Sequence, residues 1–242
     1  ISGVEVAYEQ LLRGEKGMEL VLVDVHNSKK GKFNEGRYDT NAVSGANITT
    51  TIDADLQIYG ERLMQNKVGS IVAIEPSTGE ILTLVSSPTF NPNTLTGRAR
   101  SKNFKQLLED ANKPLFNRAL LGQYAPGSTF KLINGLIALQ EKTLRIYSNF
   151  NCVGEYEYGN DKMVRCHEHA SPIRLKKAIA ISCNSYFCNV FQIFFDKYQN
   201  TEIAFNTWKD HIASFGVGQW MNNDFSSGKK GFLPKTEFYD NT

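Results

Sequence analysis

Tyr124-Ala125-Pro126-Gly127-Ser128-Thr129-Phe130-Lys131 is the stretch on which the reading of this chain turns. Pro126-Gly127 interrupts the backbone. From Ser128 to Gln140 the apolar residues Phe130, Ile133, Leu136 and Ile137 then recur at helical spacing, which predicts a helix with one buried face beginning beside Ser128. On such a helix Ser128 and Lys131 share a face one turn apart, close enough for the amine to take the serine proton and make a weak nucleophile usable. The lysine can act as a base near neutral pH only if burial or neighbouring cations disfavour its charged form. Backbone N–H groups at the helix start could stabilise an oxyanion.

The spacing alone does not select Ser128. Ser226 and Ser227 stand in the same relation to Lys229 and Lys230, but in a Gly- and Lys-rich stretch with no apolar helix after it. A second triplet, Ser182-Cys183-Asn184, follows Ser128 by 54 positions and supplies a hydroxyl and an amide early in the next apolar helix. The amide can hold a substrate and the hydroxyl can shuttle a proton to a leaving amine, although an ordinary polar turn in a core helix would look the same. Ser101-Lys102-Asn103 matches that triplet too.

Working outward, the sequence predicts an opening helix over Glu5 to Leu12, a strand over Glu19 to Val25 and an exposed loop from Lys29 to Gly45. A β-branched strand from Asn47 to Asp53 should lead into a helix near Leu56 to Gln65, with Asp53 as its N-cap. Gly69 to Ile74 and Glu80 to Ser86 read as a hairpin turned by Pro76 and Gly79. Ser87 to Leu115 reads as a long connection with one short helix at most. Lys176 to Tyr198 reads as one very apolar helix, and Phe205 to Phe215 as another, stopped by Gly216.

Charge narrows the class. The 27 basic and 25 acidic residues are well mixed and leave a net charge of +2, which offers no footprint for nucleic acid or an anionic membrane surface. The first residues show no signal peptide and look like a cut inside a longer protein. Ala178 to Phe195 is the one near-continuous apolar run, and Ser182, Asn184, Ser185, Asn189 and Gln192 interrupt it, so it is expected to be a buried helix rather than a membrane span.

Tyr124 to Lys131 together with Ser182-Cys183-Asn184-Ser185-Tyr186-Phe187 resembles, in order, the first two active-site motifs of class B penicillin-binding proteins, most nearly the elongation-type penicillin-binding protein 2 group. Thr51 to Gln57, Ile74 to Leu82, Ser86-Ser87-Pro88, Phe90 to Asn93 and Asn117-Arg118-Ala119 resemble the same family, and Gly3 to Gly17 resembles the end of its non-catalytic pedestal domain. The resemblance implies an α+β fold of the β-lactamase/transpeptidase type, a mainly antiparallel sheet flanked by helices. It implies a pedestal remnant over 1–45 and the N-terminal part of the transpeptidase domain over 46–242. It also implies peptidoglycan D,D-transpeptidation on the periplasmic face of a bacterial inner membrane, with no catalytic cofactor. Ser128 would attack the penultimate D-Ala carbonyl, Lys131 would be the base, and Ser182 and Asn184 would relay protons and position substrate. Stem peptides and β-lactams would be ligands, and a membrane anchor and a glycosyltransferase partner would belong to the full-length protein. A serine β-lactamase and a non-enzymatic penicillin-sensing receptor share the fold and are the alternatives.

The family's third motif, Lys-Ser/Thr-Gly, does not occur: in Lys235-Thr236-Glu237 a glutamate replaces the glycine that lets substrate lie against an edge strand. The chain is therefore expected to stop inside the domain, to be incomplete at its C-terminus and to be catalytically impaired by itself.

Cys152, Cys166, His169 and Cys183 form C-x13-C-x2-H-x13-C, with His167 nearby. Three thiolates and an imidazole suit a tetrahedral structural zinc that would tie this loop to the Ser-x-Asn segment. Two other readings stay open: a Cys152–Cys166 disulfide in an oxidising periplasm, or free thiols with Cys183 and Cys188 simply buried.

Overall fold

The computed structural model describes residues 3–159, 162–220, 224, 225 and 227–240. It divides into two compact units, Ile1–Gly122 with Asn223–Lys229 and Gln123–Asn222 with Lys230–Thr242.

The first unit opens with two single-turn helices, α1 (Val4–Ala7) and α2 (Glu9–Leu12), and an antiparallel pair, β1 (Val21–Val23) and β2 (Lys29–Lys32). The strand β2 lies where a loop was expected. Its lysines face carboxylates, Lys29 on Glu19 at 3.0 Å and Lys32 on Asp39 at 2.9 Å, so the charge that reads as loop instead decorates an exposed ribbon. The expected strand over 47–53 does not form. The segment joins the next hairpin through the Asp53 N–H on the Leu82 carbonyl, 2.9 Å, and the Thr51 hydroxyl on the Ile81 carbonyl, 2.7 Å. Asp53 does cap helix α3 (Ala54–Leu63), accepting from the Leu56 N–H at 2.9 Å.

The hairpin of β3 (Gly69–Ile74) and β4 (Ile81–Ser87) forms in antiparallel register, with Ile71 opposite Val85. The carboxamide of Gln57 on α3 grips β4 as a neighbouring strand would, its Oε1 accepting from the Leu84 N–H at 2.9 Å and the Thr83 hydroxyl at 2.7 Å. Gly60 lets the helix sit close, since a Cβ there would lie 2.9 Å from Val85 Cγ2. The connection after β4 carries one full helix, α4 (Arg100–Glu109), before the single turn α5 (Arg118–Leu121). Ser101-Lys102-Asn103 lies on exposed α4, not on the helix that carries Lys131.

The second unit starts with a 3-10 turn, Gly127–Thr129, that continues into α6 (Phe130–Gln140). Two short antiparallel pairs follow: β5 (Asn149–Phe150) with β8 (Ile173–Arg174), and β6 (Glu155–Glu157) with β7 (Met163–Arg165). The helix expected over 176–198 is two helices, α7 (Leu175–Ala180) and α8 (Asn184–Asp196). The break falls at Ser182, whose φ of 54° no α-helix accommodates. Cys183 then caps α8, its sulfur accepting from the Tyr186 N–H at 3.3 Å. Helix α9 (Thr201–Ser214) begins earlier than the apolar pattern suggests because the Asn200 side chain caps it, accepting from the Glu202 N–H at 2.6 Å.

One core gathers Ala138, Ile173, Ala178, Cys183, Tyr186, Phe187 and Val190, and a second joins Ile137, Phe194 and Ile212. No helix among the described residues is long and apolar enough to cross a membrane. Ser227 lies in irregular backbone, and the eight residues after it, 228–235, form no helix; its companion decoy Ser226 lies outside the described residues.

Candidate active site

The first residue of the site is set by a turn. Gly127 takes φ 59°, a region open to glycine, and the Thr129 hydroxyl donates to the Pro126 carbonyl at 2.6 Å. Ser128 is thereby presented, exposed, on the 3-10 turn rather than inside α6. It lines a cavity of about 250 Å³ with Thr129, Lys131, Leu132, Ile179 and Ser182.

Lys131 points from α6 to the break between α7 and α8. Its ammonium donates to the Ser182 carbonyl at 2.7 Å, the Ser182 hydroxyl at 3.0 Å and Asn184 Oδ1 at 2.5 Å. Three N–H donors meet three acceptors. The left-handed backbone at Ser182 makes this possible, because a carbonyl inside a continuous helix would be committed four residues onward. Burial holds the Lys131 pKa below its ordinary value, while the nearby thiols Cys166, Cys183 and Cys188 pull the other way. The ring of Phe187 lies 5.9 Å from the ammonium. Among the described residues no hydrogen bond joins Ser128 to Lys131, so in this arrangement the amine is engaged with Ser182 and Asn184 and not with the nucleophile.

Asn184 is fixed on both sides. Its Oδ1 accepts from Lys131 and its Nδ2 donates to the Arg165 carbonyl at 2.8 Å, which settles the amide's orientation because the lysine only donates and the carbonyl only accepts. Its backbone N–H points to the Cys166 sulfur at 3.3 Å. Next along α8, the Ser185 hydroxyl donates to the Glu155 carbonyl at 2.9 Å. The pair β6–β7 is thus pinned to the N-terminus of α8.

The structure also brings Cys152, Cys166, His169 and Cys183 together, with all four donor atoms within 4.8 Å of one another. Cys166 Sγ lies 3.6 Å from Cys183 Sγ and 3.7 Å from His169 Nε2. Ligand bonds of about 2.3 Å to sulfur and about 2.0 Å to nitrogen place tetrahedral neighbours roughly 3.5–3.8 Å apart, so both separations fit zinc. His169 Nδ1 faces the Ala170 carbonyl at 2.8 Å; donating there leaves Nε2 with its lone pair toward the thiols. All four cysteines are free, and His167 and Cys188 are outside the cluster. Burial pushes the Cys183 thiol up to about 12, and the neighbouring Cys166 and Cys152 add to this against the Tyr186 N–H. Burial also raises Cys166, but the Ser185 and Asn184 N–H groups and the other thiols outweigh it and leave that pKa lowered.

Residues 69–242 match the family model described as the penicillin binding protein transpeptidase domain. The chain belongs to that family. It is 32% identical over 239 residues to the peptidoglycan D,D-transpeptidase MrdA of Acinetobacter baumannii, a match covering 98% of this chain and 34% of that protein. The Escherichia coli K12 protein of the same name is 28% identical, with 98% and 36% covered. A crystal structure of Pseudomonas aeruginosa PBP2 in complex with WCK 5153 superposes with a TM-score of 0.71 at 25% identity, covering 97% of this chain and 54% of that one. A chain from a peptidoglycan synthase complex, studied for its coordination of polymerization and crosslinking, gives 0.74 at 27% identity, with 99% and 43% covered. These likenesses make the chain a class B penicillin-binding protein of the penicillin-binding protein 2 type. It spans about a third of the length of the curated relatives it matches.

Within this transpeptidase-family unit, Ser128, Lys131, Ser182 and Asn184 converge, as do the four predicted metal-ligating residues. Sequence reasoning missed Arg165 and Glu155. Both act through backbone carbonyls, which leave no side-chain signature.

Proposed function

We propose that this chain carries the nucleophile and proton-handling side of a peptidoglycan D,D-transpeptidase site, and that in the full-length protein it forms a serine acyl-enzyme. The observation that carries the reading is the Lys131 ammonium held by Ser182 and Asn184 beside an exposed Ser128. In the reaction, Ser128 Oγ forms a bond to the penultimate D-Ala carbonyl carbon of a stem peptide as its proton passes to a deprotonated Lys131. The C–N bond to the terminal D-Ala then breaks, and Ser182 delivers a proton to the departing amine. Asn184 orients the substrate while holding Lys131 in place. An amine from a neighbouring stem peptide resolves the ester. β-Lactams would acylate the same serine.

Residues 1–45 are proposed to belong to the pedestal and 46–242 to the transpeptidase domain. The full-length protein is proposed to work at the periplasmic face of the inner membrane with a glycosyltransferase partner. No Lys-Ser/Thr-Gly occurs among the 242 residues, so the chain by itself should react slowly. Cys152, Cys166, His169 and Cys183 are proposed to hold a structural zinc, whose role is to fix the strand end that carries Arg165 against Asn184.

The test is a fluorescent penicillin on the full-length protein, read by intact mass and peptide mapping. One adduct on Ser128, absent from Ser128→Ala, is expected together with D-Ala release from a stem-peptide donor. Adduct on another residue, or an adduct on Ser128 with no D-Ala release from the stem-peptide donor, would defeat the enzyme reading. Elemental analysis without added metal should give close to one zinc per chain, and a trace amount would defeat the metal reading.

A further inference from the structure

We propose that Cys166 and Cys183 are a reversible redox pair, whose disulfide forms when no metal holds the thiols and disengages Asn184 from Lys131. The functional consequence rests on the acyl-enzyme reading above; the disulfide itself does not.

Three observations carry it. The two sulfurs are already in contact at 3.6 Å, and both are free. A disulfide needs about 2.05 Å, so oxidation draws the Arg165–Cys166 strand end and the α8 N-terminus together by about 1.5 Å, the difference between the two separations. Both sulfurs also hold the active site. Cys166 accepts the Asn184 N–H, and Cys183 accepts the Tyr186 N–H as the cap of α8. The Arg165 carbonyl holds the Asn184 amide whose oxygen binds Lys131. Moving either sulfur therefore reaches the lysine through a single side chain.

Access sets the order of events. Cys166 is half-buried and Cys183 is fully buried, so an external disulfide meets Cys166 first. The Cys166 thiolate attacks one sulfur of the oxidant, whose other sulfur leaves as a thiolate, giving a mixed disulfide. The Cys183 thiolate then attacks Cys166 Sγ and expels the second oxidant sulfur. Two thiol protons are lost and two electrons pass to the oxidant, here a protein or small-molecule disulfide. Bound zinc would occupy the same thiolates and block the first step.

The experiment uses full-length protein, stripped of metal with a chelator and treated with oxidised glutathione, beside a zinc-loaded sample whose metal content is measured separately. Non-reducing peptide mapping should give a Cys166–Cys183 cross-link in the stripped sample and none in the loaded one. The link should persist in Cys188→Ser and vanish in Cys166→Ser. Labelling by a fluorescent penicillin should fall about 10-fold on oxidation and recover with reductant. A link through Cys152 or Cys188, no link, or a link with unchanged labelling overturns the proposal. Absence of zinc binding leaves the cross-link result standing and defeats only the metal reading.

Discussion

Replacing Glu141 with glutamine should uncouple three helices at once. Glu141 ends α6, where a negative charge opposes the helix dipole, and it survives there because an ammonium and two further polar groups surround it. Those partners are one cation, Lys197, donating to Oε2 at 2.5 Å, with the Tyr198 hydroxyl donating to Oε2 at 2.9 Å and His211 Nε2 meeting Oε1 at 2.7 Å. Lys197 follows α8 and His211 lies in α9. Lys197, and then His211, hold the carboxyl at about 2 instead of its ordinary 4.5, against the opposing effect of burial. At ~1.36 kcal/mol per pH unit that drop is worth about 3.4 kcal/mol. This is a ceiling, because Lys197 is 42% exposed and water screens the pair. The expected loss in Glu141→Gln is therefore about 1–2 kcal/mol at pH 7. A carboxylate whose folded pKa is depressed contributes fully above its unfolded value and loses that contribution as pH falls. The gap between wild type and variant should be constant above 4.5 and close towards 2. Urea unfolding followed by far-UV circular dichroism across that range measures it. Equal midpoints at pH 7, or a gap that stays unchanged to about pH 3, would refute the clamp.

Three further substitutions test other contacts. Asn184→Ala removes both the Lys131 acceptor and the donor to Arg165, so penicillin acylation of the full-length protein should slow by about 10²-fold with little change in thermal midpoint; a wild-type rate would remove Asn184 from the proposed machinery. Gly60→Ala gains about 1 kcal/mol of helix propensity, but its Cβ would meet Val85 Cγ2 at 2.9 Å, and overpacking of about 1–3 kcal/mol should leave a net loss in denaturant titration. A more stable variant would show that α3 yields. Arg118→Met strips donors from the Asn112, Lys113 and Phe116 carbonyls around a buried guanidinium; a loss of about 2–3 kcal/mol is expected, and an unchanged unfolding midpoint would mean that water replaces it.

Local chemistry was the part of the fold readable from sequence. Asp53 caps α3 through a neighbour three residues on, and the β3–β4 hairpin closes through Pro76 and Gly79, so each signal sits beside its effect. The break at Ser182 was hidden because Ile179, Ile181, Tyr186 and Phe187 keep the segment apolar on both sides, while the deciding terms are a distant ammonium and a cysteine cap. The strand β2 was hidden for the opposite reason, its lysines being paired only once the chain folds. The residue types of the candidate site were legible, but the engagement of Lys131 with Ser182 instead of Ser128 depends on backbone conformation, which composition does not encode.

The middle residue of Ser182-Cys183-Asn184 has a consequence for how this chain can drift. In a Ser-x-Asn triplet the central position is nominally free, yet here one sulfur caps α8, stands in the thiol cluster and fills a site with 0% exposure. Serine would keep the cap and lose the soft sulfur donor; alanine would lose both; aspartate would keep the cap, replace sulfur with a hard oxygen donor and bury a charge. Random substitution should therefore be tolerated at this variable letter less well than at many residues flanking the motif, a bias that saturation mutagenesis with selection for growth would expose.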